Sequence, residues 1–134
     1  MPVRLKAHGE SALKVAKWLM LQPEVCQVFF PGLESDENHE RWKKYCMGSN
    51  GLVSFELQRQ YSREKVERMI DALSLFGLGA SWGGFESLVI PADLAGSRVL
   101  SDWSQRGVVV RLHIGLEDTA DLIEDLQQAL QILH

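Results

Sequence analysis

Cysteine is scarce in this chain, with only Cys26 and Cys46 among 134 residues. Two cysteines cannot build the disulfide framework of a small secreted domain, so a reducing, cytoplasmic setting is expected. Long apolar runs are missing too. None approaches the roughly 20 residues that cross a bilayer, and no long apolar segment opens the chain as in a secretory signal. Charge of one sign is not in large excess: 14 Lys and Arg stand against 18 Asp and Glu, a net of −4. Without a basic stripe, nucleic acid is a poor partner. Lys14 with Lys17, and Arg41 with Lys43 and Lys44, read as solvated helix faces. No G-x-S-x-G elbow or Walker A loop is present, and Gly77-Leu78-Gly79 lacks the third glycine of a dinucleotide fingerprint. Cys26, Cys46, His8, His39, His113 and His134 could ligate a metal, but none shows C-x-x-C or H-x-x-x-H spacing. No metal site is expected.

What remains is an ordinary globular composition, 46% hydrophobic and 24% charged, in a length that suits one domain over residues 1–134. Ala12, Val15, Ala16 and Leu19 recur at helical spacing, which predicts a helix over Ser11–Gln22 closed by Pro23. Val25–Phe30 is β-branched and aromatic and stops at Pro31-Gly32, as a strand and turn would. Leu33–Asn50 reads as a long loop with a helical turn near His39–Tyr45. Val53, Phe55 and Leu57 alternate with Ser54 and Glu56 in a half-buried strand. Ser62 caps a helix over Arg63–Leu73 whose apolar face is Val66, Met69, Ile70 and Leu73. Gly77 and Gly79 break the chain, Ser87–Ile90 is a short strand ended by Pro91, and Ala92–Gly107 is mixed with room for a helical stretch. Val108–Ile114 is the strongest strand, and Asp118 caps a last helix with Leu122, Ile123, Leu126, Ala129 and Leu130 inward. This order predicts a two-layer α+β domain, a mostly antiparallel sheet with helices on one face. Its other face then needs a partner or a function.

Alternation along Val108–Ile114 sends Val109, Arg111 and His113 to that other face. A guanidinium there suits a carboxylate, which it binds bidentately at any working pH, or it is a solvated surface arginine. Gly83 and Gly84 permit positive φ and expose backbone N–H groups able to hold an anion, or they simply form a turn. Trp82 is otherwise a core aromatic, Glu86 a structural acid and His113 a supporting or surface histidine. No motif points to Arg106.

Ser81-Trp82-Gly83-Gly84-Phe85-Glu86-Ser87, taken with Val110-Arg111-Leu112-His113-Ile114-Gly115-Leu116-Glu117, resembles the C-terminal domain of the Cys/Met-metabolism family of pyridoxal-phosphate enzymes. Further similarities run from about Val3 to the end: the opening R-L-K-A-H-G-E-S-A-L-K-V-A-K-W-L, Pro31-Gly32-Leu33, Gly51-Leu52-Val53-Ser54-Phe55 and Leu73-Ser74-Leu75-Phe76. The resemblance implies the small C-terminal domain of a fold-type I enzyme, in which Arg111, Ser81 and Trp82 bind the substrate α-carboxylate. Trp82 and the R-L-H-I-G run are similar to the bacterial β-lyases, which cleave cystathionine to homocysteine, pyruvate and ammonia; the alternatives are another family member, a cystathionine γ-synthase, γ-lyase or homoserine sulfhydrylase, or a non-catalytic small-molecule-binding α+β domain. Ala80 departs from β-lyases that carry tyrosine there. In the family a lysine in an S-x-T-K context forms the Schiff base, with a phosphate cup and an acid on the pyridine nitrogen. Lys6, Lys14, Lys17, Lys43, Lys44 and Lys65 all lack that context. The resemblance therefore implies an excised domain with no catalytic or covalent cofactor residue of its own. The missing large domain and an amino-acid substrate would be its partners, the parent a homotetramer, and the piece alone inactive and self-associating.

Overall fold

Pro2 opens α1 (Pro2–Leu19), where its missing N–H costs nothing because the first helical N–H groups have no intrahelical partner. In the computed structural model, which describes residues 2–134, this helix is nine residues longer at its start than apolar periodicity predicts. Its first turns carry exposed Val3, Arg4 and Lys6 and so give no periodic signal. Gly9 is buried against the loop below, where an added Cβ would stand 2.5 Å from the Ser49 carbonyl oxygen. The helix ends at Leu19, before the predicted Gln22. The Gln22 side chain instead donates to the Trp18 carbonyl at 2.9 Å.

Beyond α1 the order is β1 (Val25–Phe29), α2 (His39–Tyr45), β2 (Leu52–Leu57), α3 (Arg63–Asp71), β3 (Gly77–Leu78), β4 (Leu88–Ala92), β5 (Val109–His113), α4 (Thr119–Leu130) and a closing 3-10 turn over Gln131–Leu133. The five strands lie in the order β1-β2-β5-β4-β3. Every pair is antiparallel except β3 with β4. The α+β expectation is therefore met. A bulge at Cys26 moves the β1 register, so Val25 and Val28 oppose Leu57 and Phe55 although they are three residues apart. Two details differ from the sequence reading. Gly77-Leu78 forms a short strand where two glycines suggested only a break. Pro91 lies inside β4 rather than ending it. Strand β3 pairs only with Leu88 and Val89, so β4 has a free edge at Pro91, where a missing N–H leaves no bond unmade.

Helices α1, α3 and α4 cover one face of the sheet. Val53, Phe55 and Leu57 of β2 meet Val110 and Leu112 of β5 and Val89 of β4 there, packed on Ala12, Val15, Ala16 and Leu19 of α1, Val66 and Met69 of α3, and Leu122, Leu126 and Ala129 of α4. The predicted caps form: Ser62 Oγ accepts from Lys65 N–H, and Asp118 accepts from Ala120 and Asp121 N–H. The second face is not bare. Residues 93–107 form no helix. They fold over one end of the face, where Arg106 pairs with the buried Glu56 carboxylate and stacks on Trp103 at 4.1 Å. The Ala80–Ser87 turn covers the other end. Arg111 lies between them, half-buried.

Candidate functional site

Two segments that stand apart in the chain close on each other here. From Arg111 to Glu117, alternate residues reach the same side, and each meets a successive part of the Ala80–Ser87 turn. The Arg111 guanidinium donates through Nη2 to the Ala80 carbonyl. His113 Nε2 lies 3.2 Å from both Gly83 N and Gly84 O. Gly115 has no side chain because none fits: an added Cβ would stand 2.3 Å from Phe85 O and 2.6 Å from Glu117 Oε2. Leu116 N–H donates to Phe85 O at 2.9 Å. Glu117 accepts from Ser87 N–H and from Ser87 Oγ, each at 2.8 Å, while Ser87 Oγ accepts from Gly115 N–H at 2.8 Å. Ser87 is fully buried.

This arrangement presents the three predicted residues together. Ser81 follows the carbonyl that Arg111 holds, and both Ser81 and Trp82 are exposed. With one guanidinium edge fixed on Ala80, the remaining N–H groups of Arg111 keep a defined direction, which is what bidentate capture of a carboxylate requires. Trp82 is 53% exposed, so it is not a core aromatic. It lines an open, mostly apolar groove of about 740 Å³ with Leu5, Leu13, Trp42 and Met47. Glu86 is exposed, and the acid that locks the turn is Glu117.

His113 is buried, not a surface histidine, and its ring meets that of His8 edge-on at 5.0 Å. His8 Nε2 and His113 Nδ1 are buried without a hydrogen-bond partner. Burial lowers the pKa of His8 below its ordinary 6.5, reinforced by His113 and Arg4. Sequence reasoning gave His8 no role, because nothing local marks a helix residue that reaches a strand a hundred positions away. Arg106 was passed over likewise, although its pairing with Glu56 holds down residues 93–107. Among the described residues no three His, Cys, Asp or Glu side chains gather as a metal site would need, and no helix is long and apolar enough to cross a membrane.

The model for the Cys/Met metabolism PLP-dependent enzyme family matches residues 1–131. Cystathionine beta-lyase MetC of Escherichia coli K12 is 45% identical over 92% of this chain and 32% of its own length. The L-alanine/L-glutamate racemase of Wolbachia pipientis wMel is 42% identical over 95% of this chain and 32% of its own. Human cystathionine gamma-lyase is 39% identical over 98% of this chain and 33% of its own. A crystal structure from Campylobacter jejuni, named as an O-acetylhomoserine (thiol)-lyase and carrying a pyridoxyl-lysine, superposes with a TM-score of 0.80 at 36% identity, over 97% of this chain and 29% of that one. The chain thus spans about a third of the length of the relatives it matches. With a family match over nearly all its residues, the chain belongs to the Cys/Met metabolism family of pyridoxal-phosphate-dependent enzymes.

Proposed function

We propose that this chain is the substrate-carboxylate-binding domain of a cytoplasmic carbon–sulfur β-lyase that cleaves cystathionine to homocysteine, pyruvate and ammonia. The observation that carries the site is the grip of Arg111 on the Ala80 carbonyl beside exposed Ser81 and Trp82. Arg111 takes the α-carboxylate with its free N–H groups, Ser81 and the turn add hydrogen bonds, and Trp82 walls one side. Holding the carboxylate fixes the direction of the other bonds at Cα, an orientation effect.

The residues of this chain do not fit pyridoxal phosphate itself. Lys6, Lys14, Lys17, Lys43 and Lys44 are exposed on α1 and α2, and Lys65 Nζ donates to Leu133 O at 2.7 Å. The cofactor, which supplies the electron sink for the family's chemistry, belongs on this reading to a large domain of the same enzyme, a homotetramer. The 134 residues alone are inactive.

A second reading within the family, a γ-lyase or an amino-acid racemase, is favoured by the 39–42% identity to such relatives, since a carboxylate clamp serves any of these reactions. Incubating the full-length enzyme with cystathionine, and separately with L-alanine, separates them. Pyruvate with homocysteine supports β-elimination, 2-oxobutyrate with cysteine supports the γ-lyase, and racemised alanine without elimination supports the racemase. Arg111→Ala in that enzyme removes one partner of a desolvated charge pair, which costs on the order of 2–5 kcal/mol. kcat/KM should fall by roughly two to three decades. Arg98→Ala is the control, since Arg106 is tied into the fold by Glu56 and Trp103. An Arg111→Ala enzyme within a few-fold of the parent would show that the clamp lies elsewhere.

A further inference from the structure

Two side chains of β5 reach the turn, and carboxylate binding uses only one of them. His113 has a single atom with which to bond, because its Nδ1 is buried without a partner. The other nitrogen, Nε2, stands 3.2 Å from Gly83 N and 3.2 Å from Gly84 O. A bare Nε2 accepts from Gly83 N–H, and an Nε2 that carries hydrogen donates to Gly84 O, so each tautomer holds one end of the Gly83-Gly84 pair of residues. That pair needs holding. Gly83 has φ +85°, and open space surrounds the positions where Cβ atoms would sit on Gly83 and Gly84. Glycines without neighbouring packing cost little to reorient. The rest of the turn is anchored at its two ends only, by Arg111 on Ala80 and by Leu116 and Glu117 on Phe85 and Ser87. The imidazole is itself fixed, edge-on to His8 of α1.

We infer that His113 is a positioning residue: through Nε2 it holds the backbone of the Gly83-Gly84 pair, at Gly83 N–H or Gly84 C=O, and thereby sets Ser81 and Trp82 against Arg111. The functional half of this inference rests on the carboxylate site proposed above. An apolar side chain would fill the same space without the grip.

Two substitutions separate grip from bulk. His113→Phe keeps a ring against His8 and removes both nitrogens. His113→Gln keeps a donor and an acceptor on one planar group. In the isotope-labelled 134-residue chain, His113→Phe should displace the Gly83 and Gly84 amide resonances and speed Gly83 hydrogen exchange about fivefold or more, and His113→Gln should restore both. In the unsubstituted chain, long-range nitrogen–proton spectra should show a hydrogen-bonded Nε2, a reading that survives even if the Phe variant does not fold. In the full-length enzyme, His113→Phe should raise KM roughly five- to tenfold with kcat little changed, and His113→Gln should recover it. Unmoved glycine amides in His113→Phe, or a free Nε2 in the unsubstituted chain, overturn the inference. A raised KM that Gln does not recover does the same. If Arg111→Ala impairs the enzyme while His113→Phe leaves KM unchanged, the inference fails and the carboxylate site stands. If neither variant changes KM although the turn is displaced, the carboxylate site fails, and the functional half of the inference with it.

Discussion

Removing one oxygen atom at Ser87 should unlock the junction between the turn and β5. The Ser87 hydroxyl donates to Glu117 Oε2 and accepts from Gly115 N–H, each at 2.8 Å, in a fully buried position. Ser87→Ala loses a bond that ends on a carboxylate, worth about 1.5–3 kcal/mol. It also strands the buried Gly115 N–H, at a cost of about 1–3 kcal/mol. The two losses do not add fully, because Glu117 is half-buried and can recruit water, which sets the expected total at about 2–4 kcal/mol. That is a large share of the stability typical of such a chain. The assay is urea denaturation followed by circular dichroism, with the midpoint falling and the slope unchanged. Tm should drop by roughly 8–15 °C. Ser104→Ala is the control, since that exposed hydroxyl bonds only to Asp102. A Ser87→Ala loss within about 0.5 kcal/mol of the Ser104→Ala loss would refute the reasoning, because a surface site behaves that way.

Other outcomes follow from the same structure. Gly107→Ala should cost about 3 kcal/mol or more in the same urea assay, because its Cβ would stand 1.8 Å from the Leu57 carbonyl oxygen. Burial first, and then His113 and Arg4, lower the His8 pKa in the folded chain, so the unfolded chain binds more protons as pH falls toward and below the ordinary 6.5. The contribution of His8 is present above the ordinary value of 6.5 and is lost as pH falls through the lowered one. The urea midpoint should therefore decline between about pH 7.5 and about pH 5, and less so in His8→Phe. The exposed apolar side chains at the groove, Met47 and Trp82 among them, should make the isolated chain self-associate. Light scattering across a concentration series tests this, and a strictly monomeric species at high concentration would count against it.

The helix face of the sheet was legible in the residues themselves. Val53, Phe55 and Leu57 alternate, Val66, Met69 and Ile70 recur at helical spacing, and Ser62 and Asp118 stand where caps belong, so period and capping alone place β2, α3 and α4. The start of α1 was not legible, because its exposed charged turns carry no apolar stripe. Strand β3 was hidden by Gly77 within it and Gly79 just after it, and the partners of Arg106 and His8 by distance along the chain. The face bearing Arg111 followed from alternation. Its neighbours did not: alternation gives the side on which a residue lies, not which loop folds over it.

The spacing of the second motif has a geometric cause that joins these points. Positions 111 and 113 lie two apart in β5, the side-chain period of extended chain, so both reach one side; Gly115 and then Glu117, past the strand end and at a bend, continue along the turn, and the four meet it at Ala80, Gly83–Gly84, Phe85 and Ser87 in order. Each position then demands its own chemistry. Arg111 and Glu117 supply the two charged ends, His113 bonds to a backbone peptide, and Gly115 leaves room for the Phe85 carbonyl. The intervening Leu112 and Ile114 are fully buried in the helix layer. A one-residue insertion after Val110 would exchange the two sets, placing leucine and isoleucine under the turn and charge in the core. The motif is therefore a register as much as a list of residues, which is why two short segments with little secondary structure between them identify the family better than any single side chain does.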